Sequence, residues 1–299
     1  MFREYDLCNL CPRECNVNRN EEKKGWCNQT STLRVARASL HMWEEPTISG
    51  EKGSGTVFFS GCSLKCIYCQ NYKISRENVG KEITVDRLAE IFIELQGKGA
   101  HNINLVTADH FAPHICKSLE IAREKGLRVP VILNSSGYIK TKTLKLLEQY
   151  IDIYLVDCKY FFSESAKKYS QAENYCVEAL DAIEEMVRQK PGLMVDEGGI
   201  LQKGVVIRIL CLPGHTEETK RIIENLYKKY GETVCYSIMS QYTPTKNTEN
   251  ISPLNRKLNK REYDDVIDFC IALGMENAFV QEGESASESF IPEFDTDGL

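Results

Sequence analysis

GSGTVFFSGCSLKCIYCQN, residues Gly53–Asn71, places three cysteines in a loop directly after a short apolar run. The residues of the run, TVFF, are β-branched or aromatic, which favours a buried strand. Cys62, Cys66 and Cys69 follow at spacings of four and three residues. A disulfide uses two cysteines and a structural zinc site usually uses four. Three thiolates therefore indicate a metal centre with one position left for another ligand.

Strand-like and helix-like segments alternate along the rest of the chain. The strand patterns are Thr56–Ser60, Ile103–Val106, Arg128–Leu133, Ile151–Val156, Val205–Leu210, Val234–Met239 and Ala278–Val280. The helical patterns between them are Val85–Lys98, Pro113–Glu124, Thr141–Gln149, Asn174–Arg188, Glu217–Tyr230 and Lys260–Leu273. Repeated strand–helix–strand units predict an α/β fold with a parallel sheet, and six such units are enough for an open, curved barrel. The chemistry of such sheets lies beyond the carboxyl ends of the strands.

Composition excludes several classes of function. The 299 residues carry a formal net charge of -6 and show no basic stripe, so we expect no nucleic-acid partner. No apolar run approaches the ~18 residues of a membrane helix, and the first ten residues lack the apolar centre of a signal peptide. We therefore expect a soluble, cytoplasmic protein without a membrane partner. Disulfides are rare in that compartment, so clusters among the thirteen cysteines indicate metal binding or catalysis.

The pattern predicts three segments. Residues 1–50 break the alternation and form a cysteine-rich N-terminal extension, residues 51–283 form the barrel core, and residues 284–299 form a C-terminal tail. The tail is polar and acidic with two aromatic residues, Phe290 and Phe294. Two interpretations stay open, a disordered tail and a flap whose aromatic rings close the barrel mouth against solvent.

The three-cysteine stretch, with Tyr68 just before the last cysteine, resembles the radical S-adenosylmethionine (SAM) enzymes. Within that superfamily it is most similar to the pyruvate formate-lyase-activating-enzyme-like proteins. The resemblance implies a partial (β/α)6 barrel, a [4Fe–4S] cluster on Cys62, Cys66 and Cys69, and SAM bound at the open iron. An electron from such a cluster cleaves SAM to methionine and a 5′-deoxyadenosyl radical, which abstracts hydrogen. The activase group installs a glycyl radical on a partner enzyme, with a reductant such as flavodoxin or ferredoxin.

The resemblance also implies which residues at the strand ends contact SAM. They are Tyr68, Thr107, Asp109, His110, Asn134, Ser135, Asp157, Lys159 and Arg208, with Gln241 and Tyr242 as weaker candidates. Asp157 and Lys159 match an Asp-x-Lys motif that would hold SAM together with a monovalent cation. The stretch TADHFAP departs from the usual Gly-Gly-Glu-like motif, and Thr107, Asp109 or His110 would replace its acceptors.

Structural alternatives remain for several of these residues. Asp157 and Lys159 could form a solvated surface pair. Arg208, inside the strand pattern VVIRIL, could form a structural buried ion pair rather than bind an anion. His215 is expected to begin a helix rather than to act as a ligand.

A second cysteine cluster lies in the N-terminal extension. Cys8, Cys11, Cys15 and Cys27 in CNLCPRECNVNRNEEKKGWC are four thiolates, enough to close a tetrahedral site. Zinc and a second [4Fe–4S] cluster both fit, with iron–sulfur favoured, and a disulfide pair is a third interpretation. Arg13, Arg19 and Trp26 are expected to pack around the site.

The leading hypothesis is a radical SAM oxidoreductase that abstracts hydrogen from a glycine of a partner enzyme. One alternative is a radical SAM maturase that acts on a peptide or a small metabolite. The non-enzyme alternative is a metal-binding interaction module. A protein substrate would need an open barrel mouth, whereas a small molecule would need a covered pocket.

Overall fold

The structure is a computed structural model that describes residues 1–281 and 292–299. Its strands are β1 (Arg34–His41), β2 (Ser54–Phe59), β3 (Lys81–Glu82), β4 (Ile103–Val106), β5 (Val131–Ser135), β6 (Ile153–Asp157), β7 (Met194–Val195), β8 (Leu201–Leu210), β9 (Cys235–Met239) and β10 (Ala278–Val280). Its helices are α1 (Pro46–Ser49), α2 (Tyr72–Ser75), α3 (Val85–Gly97), α4 (Ala112–Glu124), α5 (Thr141–Leu147), α6 (Ser163–Ser170), α7 (Tyr175–Gln189), α8 (Thr216–Tyr230) and α9 (Lys260–Ala272).

The strands form one open sheet in the order β10-β9-β8-β6-β5-β4-β2-β1-β3, with β7 paired to β8. All neighbours from β2 to β10 on this path are parallel, whereas β1 is antiparallel to β2. The predicted α/β fold, an open partial barrel, is therefore confirmed. Parallel register brings the carboxyl ends of the strands to one edge, and Asp157 lies opposite Arg208 there.

Alternating residues of each strand face the helices or the inside of the barrel. In β8, Val205, Ile207 and Ile209 belong to the main apolar core beneath the helices. Their neighbours Val206 and Arg208 face the inside. Burying one such aliphatic side chain stabilises the fold by about 1.5–3 kcal/mol. The period of two that builds this core also places a charged residue inside the barrel.

Strand β1 carries the sheet across the predicted boundary at residue 50. It lies within the N-terminal extension and pairs with β2 over most of its length. The C-terminal tail covers the other edge of β1, because Ala38 N–H donates to the Asp297 carbonyl (3.0 Å) and Thr296 N–H donates to the Ala36 carbonyl (3.1 Å). An unpaired strand edge is thereby satisfied. Phe290 lies outside the described residues.

The segment between β1 and β2 closes the base of the barrel. Ile48 is fully buried in an apolar cluster with residues of β5, β6 and β8. The side chain of Asn102 donates to the Ile48 carbonyl (2.8 Å), which fixes the segment beneath β4. Pro46 occupies the first turn of α1, where its missing N–H costs nothing. This placement directs the preceding residues, Glu44 and Glu45, into the barrel. In the part of the chain that is described, no helix has the length and apolarity to cross a bilayer.

Candidate functional site

A cavity of about 240 Å³ opens at the carboxyl ends of the strands. Polar and sulfur-bearing side chains from the loop after β2 and from the ends of β4, β5, β6, β8 and β9 meet there. They include Cys62, Cys66, Tyr68, Cys69, Thr107, Asn134, Asp157, Lys159, Arg208, Gln241 and Tyr242. The fold therefore brings together residues up to about 180 positions apart in the chain, as the parallel sheet requires.

Hydrogen bonds hold the sulfur atoms of the three-cysteine loop. Ser170 Oγ donates to Cys66 Sγ (3.0 Å), and the Leu64 N–H donates to Cys62 Sγ (3.4 Å). Cys69 Sγ lies 3.4 Å from Ser75 Oγ. Burial raises the pKa of the Cys62 thiol, and the neighbouring Cys66 and Cys69 raise it further. The three sulfur atoms are thus close enough to influence one another.

A charged row crosses the cavity floor. Arg208 Nε donates to Asp157 Oδ1 (2.8 Å), and Lys159 Nζ donates to Asp157 Oδ2 (2.7 Å). Burial alone would raise the pKa of Asp157, but the two cations outweigh it and lower that pKa. The Asp157 and Lys159 side chains are 14% and 16% exposed, so they do not form a solvated surface pair. Arg208 forms a buried ion pair, as one of its two sequence interpretations predicts.

Two carboxylates from the barrel base complete this row. Glu44 Oε2 lies 3.3 Å from Arg208 Nη1, and Glu44 Oε1 accepts from the side chains of Asn104 (3.0 Å) and Asn134 (3.4 Å). Burial raises the pKa of Glu44, and the Arg208 charge opposes that rise. Glu45 is also buried, and its Oε2 has no hydrogen-bond partner among the described residues. Sequence reasoning missed both, because an acidic pair before a proline carries no periodic signal.

The TADHF stretch divides between the cavity and its support. Thr107 lines the cavity with a φ of 58°, a left-handed conformation that is unusual for a β-branched residue. Asp109 accepts from Ser135 Oγ (3.2 Å), and burial raises its pKa to about 7. His110 Nε2 contacts the Ser60 carbonyl (2.8 Å), and burial lowers its pKa to about 3. Asp109, His110 and Ser135 lie behind the cavity and are not among its lining residues.

The N-terminal cysteines form a separate group. Cys8, Cys11 and Cys27 are buried, Cys15 is half-buried, and all thirteen cysteines of the chain are free thiols. The Trp26 N–H donates to Cys15 Sγ (3.0 Å), and the guanidinium of Arg13 stacks on the Trp26 ring at 4.4 Å. Away from the cavity, His215 directly precedes α8 and bonds to the Tyr169 hydroxyl (3.0 Å).

Comparisons with known proteins identify a family and a relative. A family model described as the Radical SAM superfamily matches residues 56–226. The uncharacterized protein MJ0674 of Methanocaldococcus jannaschii is 27% identical over 271 residues, which cover 88% of this chain and 74% of that protein.

Solved structures are similar at low sequence identity. The FeFe-hydrogenase maturase HydG from Carboxydothermus hydrogenoformans has a TM-score of 0.52 and 14% identity, over 77% of this chain and 54% of HydG. Streptococcus suis SuiB, solved with bound S-adenosylmethionine, has a TM-score of 0.49 and 15% identity, over 74% of this chain and 48% of SuiB. The chain therefore spans about half the length of these two structures, and the likeness to HydG concerns the fold alone.

Proposed function

Since the chain belongs to the radical SAM superfamily, we propose that it is an activase-like oxidoreductase that installs a glycyl radical on a partner enzyme. The family implies a [4Fe–4S] cluster and SAM. The proposal adds the reaction subtype, the residues that hold these groups, and a polypeptide substrate. It also assigns residues 1–50 to an extension, residues 51–283 to the catalytic core and residues 284–299 to a tail.

The residues of the cavity fit the cluster. Cys62, Cys66 and Cys69 line one cavity, and among the described residues no fourth cysteine lines it. Three thiolates leave one iron open, which suits a catalytic rather than a structural centre. When bound, the cluster and SAM supply a one-electron cleavage that yields methionine and a 5′-deoxyadenosyl radical.

The charged row fits the methionyl end of SAM. The Lys159 ammonium makes one hydrogen bond among the described residues, to Asp157, so it keeps donors for a carboxylate. Asp157 and Asn134 offer oxygen acceptors for an ammonium group or a monovalent cation. Arg208 fixes both acceptors, because its guanidinium donates to Asp157 (2.8 Å) and to Asn134 (2.6 Å).

Residues behind the cavity would position those that line it. Asp109 holds the Ser135 hydroxyl, and the Ser135 Oγ in turn accepts from the Gly137 N–H (3.2 Å). His110 holds the Ser60 carbonyl immediately before the cysteine loop. In this proposal they shape the turns that contact SAM, whereas Tyr68 and Thr107 contact it directly.

One observation favours a polypeptide substrate over a small metabolite. The described tail residue Phe294 packs against Phe58 at a ring-centroid distance of 5.4 Å, and neither residue lines the cavity. None of residues 292–299 lines the cavity. In this proposal, a cavity that this segment does not line admits a loop from a partner protein. A low-potential protein such as a flavodoxin or ferredoxin would supply the electron.

Deuterium transfer tests this proposal. A purified glycyl radical enzyme, labelled with deuterium at glycine Cα, is incubated anaerobically with the reconstituted protein, SAM and reductant. The proposal predicts a glycyl radical signal in the electron paramagnetic resonance (EPR) spectrum and deuterium in the 5′-deoxyadenosine. Undeuterated 5′-deoxyadenosine without a glycyl radical, at a rate that does not depend on the polypeptide, would contradict the activase assignment.

A further inference from the structure

We propose that Cys8, Cys11, Cys15 and Cys27 bind a second [4Fe–4S] cluster, held directly against the loop that carries Cys62, Cys66 and Cys69. This inference rests on the proposed function for the identity of the first cluster. The second site uses none of the residues that line the cavity. Three observations support it: a buried cation without a carboxylate, the turns that bring the cysteines together, and the contact between the two loops.

The buried cation is Arg19, whose side chain is fully inaccessible. Its guanidinium donates to the carbonyls of Thr30 (2.7 Å) and His110 (2.7 Å) and lies 3.7 Å from Cys8 Sγ. It also stacks on the Tyr5 ring at 4.3 Å. Within residues 1–281 and 292–299, Arg19 makes no salt bridge to an Asp or Glu. A buried charge is costly unless an anion compensates it. A metal centre with four thiolates carries net negative charge and supplies that anion.

The backbone turns of the segment bring the cysteines together. A Cβ at Gly25 would lie 3.5 Å from Cys27 Sγ and 3.6 Å from Cys15 Sγ, so these two sulfur atoms flank one point. The Asn16 N–H donates to the Cys8 carbonyl (2.9 Å), which folds the Cys15 turn back onto Cys8. Zinc has no redox chemistry, so a centre that adjoins the proposed catalytic cluster gains a role in electron transfer only as an iron–sulfur cluster. All four cysteines are free thiols and available for this role.

The site is built against the catalytic loop. Gly61, next to Cys62, has a φ of +88°, and a Cβ there would lie 2.6 Å from the Cys27 carbonyl oxygen. Arg13, between Cys11 and Cys15, donates to the Ser63 carbonyl (2.9 Å) and the Ser170 carbonyl (3.1 Å). Ser170 is the residue whose hydroxyl bonds to Cys66 Sγ. The four-cysteine site therefore lies one loop away from the proposed catalytic cluster, where it can exchange electrons with it.

Metal analysis of the full-length reconstituted protein tests the inference directly. We expect about eight iron and eight sulfide per chain, without zinc. The Cys11→Ser/Cys15→Ser variant should retain about four iron, as should the Cys62→Ala/Cys66→Ala/Cys69→Ala variant. The matched control Cys176→Ser changes a half-buried cysteine on α7, outside both groups, and should keep about eight.

EPR spectroscopy of the reduced proteins then separates the two centres. The signal that remains in the Cys62→Ala/Cys66→Ala/Cys69→Ala variant should be unchanged by SAM. The signal that remains in the Cys11→Ser/Cys15→Ser variant should shift when SAM is added. The unsubstituted protein should show broadening by spin coupling, since the two clusters are neighbours.

Two results would overturn the inference without touching the proposed function. One is a wild-type protein with about four iron and about one zinc per chain. The other is about four iron with no second metal, all of it lost in the Cys62→Ala/Cys66→Ala/Cys69→Ala variant. Both rest on proteins with an intact N-terminal segment, so misfolding of the N-terminal variant cannot produce them. An EPR signal of the wild-type protein that does not change when SAM is added would instead contradict the proposed function.

Discussion

Replacing Arg208 with methionine should destabilise the metal-free chain by about 3–5 kcal/mol, the usual cost of breaking a buried ion pair from one side. Arg208 bonds to Asp157 (2.8 Å), Asn134 (2.6 Å) and Glu44 (3.3 Å). The side chains of Arg208, Glu44 and Asp157 are only 15%, 10% and 14% exposed, so water can do little to solvate a charge that loses its partner. Lys159 still faces Asp157 in the variant, whereas the buried carboxyl groups of Glu44 and Glu45 both lose the Arg208 cation.

A second substitution, Glu44→Gln, should therefore stabilise or destabilise the chain depending on which residue occupies position 208. With Arg208 present, it weakens a charge-assisted hydrogen bond and should cost about 1–2 kcal/mol. In the Arg208→Met background it removes a buried carboxylate that faces no guanidinium, so it should stabilise the chain. The resulting coupling energy is expected to be about 1–3 kcal/mol.

Anaerobic urea unfolding of the two single variants and the double variant measures this coupling, provided that the m-value stays constant. Arg87→Met is the matched control, because Arg87 pairs with Glu94 at 2.5 Å on the surface of α3. It should cost no more than about 1 kcal/mol. If Glu44→Gln had the same effect in both backgrounds, within about 0.5 kcal/mol, the reasoning about the buried row would be refuted.

Three further outcomes follow from single features of the structure. The raised pKa of Asp109, about 7 against 3.8, means that the folded chain keeps a proton that the unfolded chain loses. The free energy of unfolding should therefore fall by up to about 4 kcal/mol between about pH 4 and pH 7. Asp109→Asn should remove this contribution, so that the free energy of unfolding changes less with pH in the variant; the same pH dependence in both proteins would contradict the pKa shift. Thr107→Gly should relieve the left-handed strain and stabilise the chain by about 1 kcal/mol, but weaken SAM binding in a titration. Arg37→Gln removes the ion pairs of Arg37 with Asp295 and Asp297. The Ala38 amide should then exchange faster in hydrogen–deuterium exchange mass spectrometry, and unchanged protection would show that these ion pairs do not hold the tail against β1.

The fold was largely predictable, because the spacing of apolar residues along the sequence marks most of its helices and strands. The predicted strands Ile103–Val106 and Ala278–Val280 have the same bounds in the structure, and the predicted helix Lys260–Leu273 ends one residue earlier. In contrast, β1 and α6 were not predicted. In β1, arginine and serine interrupt the apolar pattern, and α6 (SESAKKYS) is too polar to show a buried face.

The candidate site was predictable only where its residues follow strands. Cys62, Cys66 and Cys69 form a local motif, and Asp157 and Lys159 stand at a strand end, so the sequence indicates their common edge. Glu44 meets Arg208 across 164 positions, through a segment that closes the barrel base. Such a contact depends on how a non-periodic segment packs against the curved, open sheet, and no local sequence pattern specifies that packing.

The central claim is that the three-cysteine loop carries a cluster that cleaves SAM. Its most direct test is the quantity of 5′-deoxyadenosine formed anaerobically after reconstitution with iron and sulfide, with dithionite and SAM added. We expect the wild-type chain and the core control Cys211→Ala to form it and Cys66→Ala to form none. Equal formation by Cys66→Ala, or none by a wild-type chain that is fully loaded with iron and binds SAM, would contradict the account.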